Sequence, residues 1–546
     1  MIDGEARFFV LALVLATMMI ASMIPAMADA QTFTLTMPTD STGFTHTYDV
    51  YQIFTGDLYD GVLSNVQWGS GSSNTGVVAQ NVLDTLAAMD NDAQETAVAV
   101  NAYADGSTYA AGVAAGASLT SVPAGYYLIK DASGFTPGEG DEYSLYIVKV
   151  VGDVTITRKA NTTTSTKDVA ENNDSSTDID LSDLKGLTYG DYADYDIGDE
   201  VPFKLTATIT DQYDNYKIYH LTFHDEQCEG LTFNASTVKV YVGDTEITEG
   251  FEVVTTGLDD DCAFEVVFAN LKEIGEVAAG SVISVYYTST LNSTGVVYGN
   301  PGNPNTSHVE YSNNPNDDQG GEETGDTPDD TTVVFTYKMD VDKIVAKADK
   351  SGYEAKTGAG FTLYKKLASG ADDTNDRYGD ACTLTDYTDY YTVDQEITGV
   401  TNFEFDGLDA GDYLLVETTT PDGYNTMDPL SFSITRTIAA DGTTGVYSIT
   451  ALNGPTGYAA SPSGGEFTFT RDKADGSGTE TVDTKIDGTT DELGSGEIFG
   501  QIENKSGATL PSTGGIGTTI FYVAGSIMVL AAAILLITKR RMGAND

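Results

Sequence analysis

Short runs in which apolar and polar residues alternate one for one recur along almost the whole chain, and they set its fold class. Examples are Phe33–Met37, Tyr143–Val151, Val201–Ile209, Phe264–Phe268, Val282–Tyr287, Phe361–Tyr364, Tyr413–Glu417 and Leu430–Ile434. A period of two puts every second side chain on one face of a strand, which suits a half-buried sheet and not a helix. Clusters of Gly, Asp and Asn separate the runs and supply turns. The expected fold is all-β, built from β-sandwiches. One helix is expected at Gln80–Met89, where leucines and alanines fall at helical spacing.

A chain of 546 residues exceeds what one core holds, and about three domains are expected at ~100–200 residues each. Composition shifts mark the cuts. Asn161–Thr166 is a polar, Thr-rich joint, and Asn313–Thr332 is an acidic segment of Asn, Asp, Gly and Pro that is not expected to pack a core. The domains then run over 31–160, 161–316 and 331–508, with 317–330 as an acidic linker. Residues 1–30 read as a cleaved secretory leader: the apolar run Phe8–Ile24 is short for a stop-transfer helix, and Pro25-Ala26-Met27-Ala28-Asp29-Ala30 offers small residues in A-x-A spacing. At the other end, the uncharged run Ile516–Thr538 is long enough to cross a bilayer as a helix, and Lys539-Arg540-Arg541 behind it stays cytoplasmic. Everything before that run is therefore expected outside the membrane.

Charge and cysteine content remove several function classes. With 82 acidic and 27 basic side chains the chain repels phosphate backbones, so no nucleic-acid partner is expected. Three cysteines are too few for a disulfide framework; Cys228 and Cys262 fall in one domain and could pair in an oxidising exterior, leaving Cys382 over. His46, His220, His224 and His308 form no HExxH arrangement and read as ordinary strand histidines, so neither a metal nor another cofactor is expected. Carboxylates are plentiful, yet no nucleophile elbow, metal set or phosphate loop accompanies them, and the chain does not read as an enzyme.

Motifs then narrow the reading. Leu510-Pro511-Ser512-Thr513-Gly514, placed just before the apolar run and basic tail, resembles the sortase recognition motif LPxTG, whose enzymes cut between Thr and Gly and pass the threonine carbonyl to an amine. Gly411-Asp412-Tyr413-Leu414-Leu415-Val416-Glu417-Thr418 with Pro421-Asp422-Gly423-Tyr424 resembles the E-box of Gram-positive pilins, YxLxETxxPxGY. In the same domain Phe335–Ile344 resembles the family's first strand, Gly358-Ala359-Gly360 running into Phe361–Lys365 its GAxFxLYK-like element, and Ile502-Glu503-Asn504-Lys505 its last strand. The chain thus resembles a sortase-assembled backbone pilin with a Cna B-type domain, which implies three tandem immunoglobulin-like sandwiches.

That resemblance implies an internal amide between Lys343 and Asn504 promoted by Glu417, with Lys338 as the competing lysine. Burial among aromatic rings favours the neutral form of an amine and of a carboxyl group alike, so the chemistry is consistent with the residue types. In the middle domain, Ser165-Thr166-Lys167, His224-Asp225-Glu226 and Val309–Pro315 resemble the corresponding strands and imply a bond from Lys167 to Asn313 with Asp225 as the acid. Asn314 is adjacent and faces the other way on a strand, so that choice rests on the resemblance alone. No such set stands out in the first domain. The lysine that accepts the next subunit in the resembling pilins lies in a YPKN-like motif; here the place reads Val154–Asn161 without Tyr or Pro, and Lys159 is the expected acceptor.

The implied function is a structural subunit of a covalently polymerised pilus on the wall of a Gram-positive cell, passing through a membrane-held precursor and supporting adhesion. The implied partners are pilus-type and housekeeping sortases, other copies of the chain head to tail, minor pilins, peptidoglycan and a host receptor that the residues do not name. The alternative is an adhesin or minor pilin anchored singly to the wall.

Overall fold

The computed structural model describes residues 31–506 apart from 41–44, 90–92, 158–161, 173–174, 176–178, 259–260, 317–320, 369–377, 439–444, 454–459, 464–465 and 483–495. Lys159, the leader, Leu510–Gly514 and the apolar run Ile516–Thr538 lie outside the described residues. Among the described residues no helix is long and apolar enough to cross a membrane.

In the first domain the long strand Thr47–Tyr59 pairs with Val62–Trp68 on one side and Gly125–Asp131 on the other. Asp60 and Gly61 join the first pair with φ of 49° and 74°, the left-handed backbone that a two-residue hairpin turn needs. Thr47–Tyr59 is buried on both faces: Ile53 and Phe54 pack with Leu63, Leu86, Val100 and Leu128, while Tyr48 and Val50 pack with Leu35, Tyr127 and Ile129. The expected helix is present at Gln80–Ala87. A second, Ala93–Asn101, was not legible in its short apolar pattern.

The second domain is a sandwich of two sheets. One runs Thr164–Ala170, Glu200–Thr208, Val282–Leu291, Leu231–Val242; the other runs Asp330–Phe335, Asn303–Ser312, Leu221–Gln227, Phe264–Phe268. Their inward rows, among them Val169, Phe203, Leu205, Val285, Phe223, Phe264, Val309 and Val334, form one core. Each fully buried Val, Leu or Phe in such a core contributes ~1.5–3 kcal/mol.

The third domain sets Tyr337–Ala346, flanked by Asn402–Leu408 and by the parallel strand Glu497–Glu503, against a sheet of Gly360–Lys366, Gly411–Thr419 and Leu430–Ile438. Its core contains Met339, Val341, Phe361, Leu363, Phe403, Tyr413, Leu415 and Ile502.

The stretch 317–330, read from composition as a linker, is corrected by the pairing. Thr324–Asp326 and Asp330–Phe335 both hydrogen-bond to Asn303–Ser312, and Thr332 and Val334 are buried in the second domain. An average over twenty polar residues concealed a six-residue strand with inward Thr and Val. The run from Val333 to Val345, in which apolar and polar residues alternate, is two strands in different domains that meet at buried Thr336, whose hydroxyl donates to Leu408 O at 3.3 Å.

Candidate functional site

Two buried lysines, one in each of the later domains, face a carboxylate and a carboxamide. In the third domain Lys343 lies on Tyr337–Ala346, and the parallel register places it beside Ile502 and Ile344 beside Glu503. Asn504 follows directly and its backbone N–H donates to Ile344 O at 3.1 Å. Glu417 reaches in from the facing sheet, on the strand Gly411–Thr419. Parallel pairing is what brings residues so distant in sequence to the same level.

The Lys343 Nζ is 3.7 Å from Glu417 Oε1, donates to Ile502 O at 3.2 Å and sits 5.6 Å from the Phe361 ring centroid. Glu417 Oε2 accepts from Asn504 Nδ2 at 2.9 Å and from Met427 N at 2.7 Å. One carboxylate thus bridges the amine and the carboxamide, an oxygen to each. All three side chains are buried. Burial pushes the Lys343 amine down to about 8, against the opposing attraction of Glu417.

That shift predicts a pH dependence where the amine survives. In an Asn504→Ala variant Lys343 stays a free amine, and its folded-state value lies below its ordinary 10.5, so between about 8 and 10.5 the unfolded chain binds more protons. Stability should therefore rise with pH across that window, by up to ~1.4 kcal/mol per pH unit. Denaturant melts of the variant at pH 7.5 and 10 check this.

Lys338, the competing lysine, lies elsewhere. Its Nζ is 3.6 Å from Glu404, 3.9 Å from Asp406 and 4.0 Å from Glu497.

In the second domain Lys167, on Thr164–Ala170, points across the sandwich at Asp225 on Leu221–Gln227. Its Nζ donates to the Asp225 carboxylate and to Tyr287 OH, the latter at 3.0 Å. The Tyr287 hydroxyl donates to Asp225 Oδ2 at 2.6 Å and accepts from Asn305 Nδ2 at 2.9 Å. Phe203 and Tyr287 wall the amine, with ring centroids at 5.4 and 5.6 Å. Burial lowers the proton affinity of Lys167, against Asp225, and raises that of the Tyr287 hydroxyl, with Asp225 adding to the rise.

Asn305 therefore occupies the place expected for Asn313. Asn313 lies eight residues further on, ~25 Å along an extended chain. Its backbone N–H donates to Glu323 O at 3.1 Å and its carbonyl accepts from Tyr143 N of the first domain at 2.8 Å. The adjacent Asn314 donates to Glu323 Oε2 at 2.7 Å. Residues 305 and 313 share a strand phase, so alternation does not choose between them. The register does, because Asp225 pairs with Ser307 and Gln227 with Asn305.

The disulfide expectation is also corrected. Cys228 and Cys262 are not joined by a disulfide in the structure. Cys228 packs against the sandwich core, whereas Cys262 Sγ lies 3.7 Å from Nδ1 of His224, on the other face of that sheet. His224 in turn stacks on His308 across the strands, with ring centroids 4.6 Å apart.

Residues 342–450 match the SpaA family, described as a prealbumin-like fold domain, and residues 502–542 match the LPXTG cell wall anchor motif. The chain is 25% identical over 398 residues to the trypsin-resistant surface T6 protein of Streptococcus pyogenes serotype M6, covering 66% of this chain and 67% of that one. Among solved structures it is similar to the T6 backbone pilin of serotype M6 Streptococcus pyogenes, with a TM-score of 0.46 and 16% identity over 87% of this chain and 99% of that one. It is also similar to the full-length major pilin SpaD from Corynebacterium diphtheriae, with a TM-score of 0.43 and 15% identity over 89% and 100%.

Proposed function

We propose that this chain, a wall-anchored pilus subunit of the sortase-assembled backbone type, is joined to the next copy by an amide between the Thr513 carbonyl and Lys159 of its neighbour, and that each copy makes two internal amides, Lys343–Asn504 and Lys167–Asn305. The observation that supports the Lys343–Asn504 bond is a single carboxylate touching both a lysine of lowered proton affinity and a carboxamide, away from water.

The step balances without a co-reactant. Deprotonated Nζ attacks Cγ of the asparagine, the C–Nδ2 bond breaks, and ammonia leaves as an amide forms. Glu417 is placed to take the Nζ proton on one oxygen and deliver a proton to the departing nitrogen from the other. Asp225 does the same through Tyr287, whose hydroxyl links it to Asn305. Each reaction happens once per chain, so the protein is structural and its own substrate.

Between subunits, cutting after Thr513 and transferring its acyl group to Lys159 gives a head-to-tail contact that does not close, which generates a filament. The sorting region and anchor-motif match support wall attachment. The test is a denaturing gel of wall extracts. A ladder of covalent multimers is expected from the unmodified chain and is expected to collapse to monomer in Lys159→Ala. A ladder that persists in that variant moves the acceptor to another lysine, and monomer alone in both marks a singly anchored protein.

A further inference from the structure

A third buried lysine lies where the second and third domains meet, and neither amide centre uses it. Lys365, on Gly360–Lys366, is fully buried; its Nζ is 2.6 Å from Asp196 Oδ2 and 2.5 Å from Asp409 Oδ1, and it donates to Tyr378 OH at 2.9 Å. Asp196 belongs to the second domain and the other three residues to the third. Tyr378 OH donates to Asp196 as well, and Tyr413 OH donates to Asp409 Oδ1 at 3.1 Å. Burial opposes the charge on Lys365, but Asp196 and Asp409 outweigh it and hold its proton well above the ordinary lysine range. This amine is set apart from Lys167 and Lys343 by its two carboxylates, and it stays an ammonium.

The same second-domain segment grips the third domain's backbone. Asp196 Oδ1 accepts from Asp409 N at 3.1 Å, Asp194 Oδ2 accepts from Ala410 N, and Ser175 Oγ accepts from Asp412 N at 2.9 Å while donating to Lys366 O at 2.9 Å. Three of the four N–H groups in the turn 409–412 therefore end on side chains of the other domain. Asp194 Oδ1 also accepts from Arg436 Nε at 2.9 Å, and the Arg436 guanidinium reaches Glu171 Oε2 at 2.5 Å. Backbone bonds from Tyr195 N to Phe335 O at 3.0 Å and from Ile197 N to Gly407 O at 3.1 Å run alongside.

We infer that Asp194, Asp196 and Ser175, closing on Lys365, Arg436 and the turn 409–412, form an ionic clasp that makes the second and third domains one cooperative unit. Parting the domains would withdraw one of the two carboxylates from a buried ammonium and strip partners from consecutive amides, both costly in a dry interface. Stability is then shared across the junction, with no separately opening third domain.

Hydrogen exchange on the whole mature protein tests this. The amides of Asp409, Ala410 and Asp412 are expected to be as protected as those of residues 413–419 in the strand that follows. Asp196→Asn and Lys365→Met should speed them by about tenfold or more, with first-domain amides unchanged. Ser175→Ala, which removes one hydroxyl and no charge, serves if those variants fail to fold, and should speed exchange at Asp412 alone. Exchange of 409–412 in the unmodified protein at the rate of an open turn, or rates unmoved by these variants, would overturn the clasp. Since no ammonia loss is read, this outcome is independent of the internal amides.

Discussion

Intact mass of the folded mature protein is expected to fall short of its sequence mass by two molecules of ammonia, and Glu417→Ala is expected to restore one of them. The expectation rests on the Lys343 centre, where one carboxylate, Glu417, contacts both reacting groups. Without it the Nζ proton is left only the Ile502 carbonyl, which is not a base, and among the described residues no acid is bonded to the departing nitrogen. The ring closed between residues 343 and 504 is on the order of 160 residues long, so its loss withdraws ~5 kcal/mol on the chain-entropy account. An unreacted lysine left buried without its partner adds ~3–5 kcal/mol to the penalty. Together these should lower the melting temperature of the unit formed by the second and third domains by more than about ten degrees. A variant that still loses both ammonias would remove Glu417 from the chemistry.

The second large effect separates two asparagines. Asn305→Ala should abolish the other ammonia loss, and Asn313→Ala should leave it intact. Peptide mapping reads the difference directly, as a branched peptide joining the Lys167 and Asn305 segments. The contrast follows from Tyr287, whose hydroxyl touches Lys167, Asp225 and Asn305, while Asn313 is engaged with Glu323 and the first domain. A branched peptide through residue 313 would refute this assignment.

Much of this was legible in the chain before its folding was known, and the reasons differ by element. Alternation gave the strands because burial on one face imposes a period of two. Lys343, Glu417 and Asn504 were legible because each stands in a local motif of its own strand. Asn305 was not, because choosing among asparagines in one phase requires the register between strands some eighty residues apart. Asp330–Phe335 was hidden by the acidic composition around it, and its inward Thr332 reads as polar although it is buried. The Lys365 cluster draws on four separate segments, and its lysine stands in a motif that gave no hint of a charged interior partner.

The direct passage from Asp330–Phe335 into Tyr337–Ala346 has a mechanical corollary once both amides have formed. Tension applied beyond Asn504 would jump to Lys343 and bypass nearly all of the third domain. It then descends through Thr336 into a hairpin whose other arm is tethered at Asn305, and both points of pull lie at the same end of that hairpin, since Asn303 faces Val334 and Asn305 faces Thr332. Force in that direction peels bonds one at a time and does not shear them together. The thirty or so residues from 305 to 335 would thus be built-in slack, worth ~100 Å at ~3.4 Å per residue, paid out between two amides that carry the load in series with it.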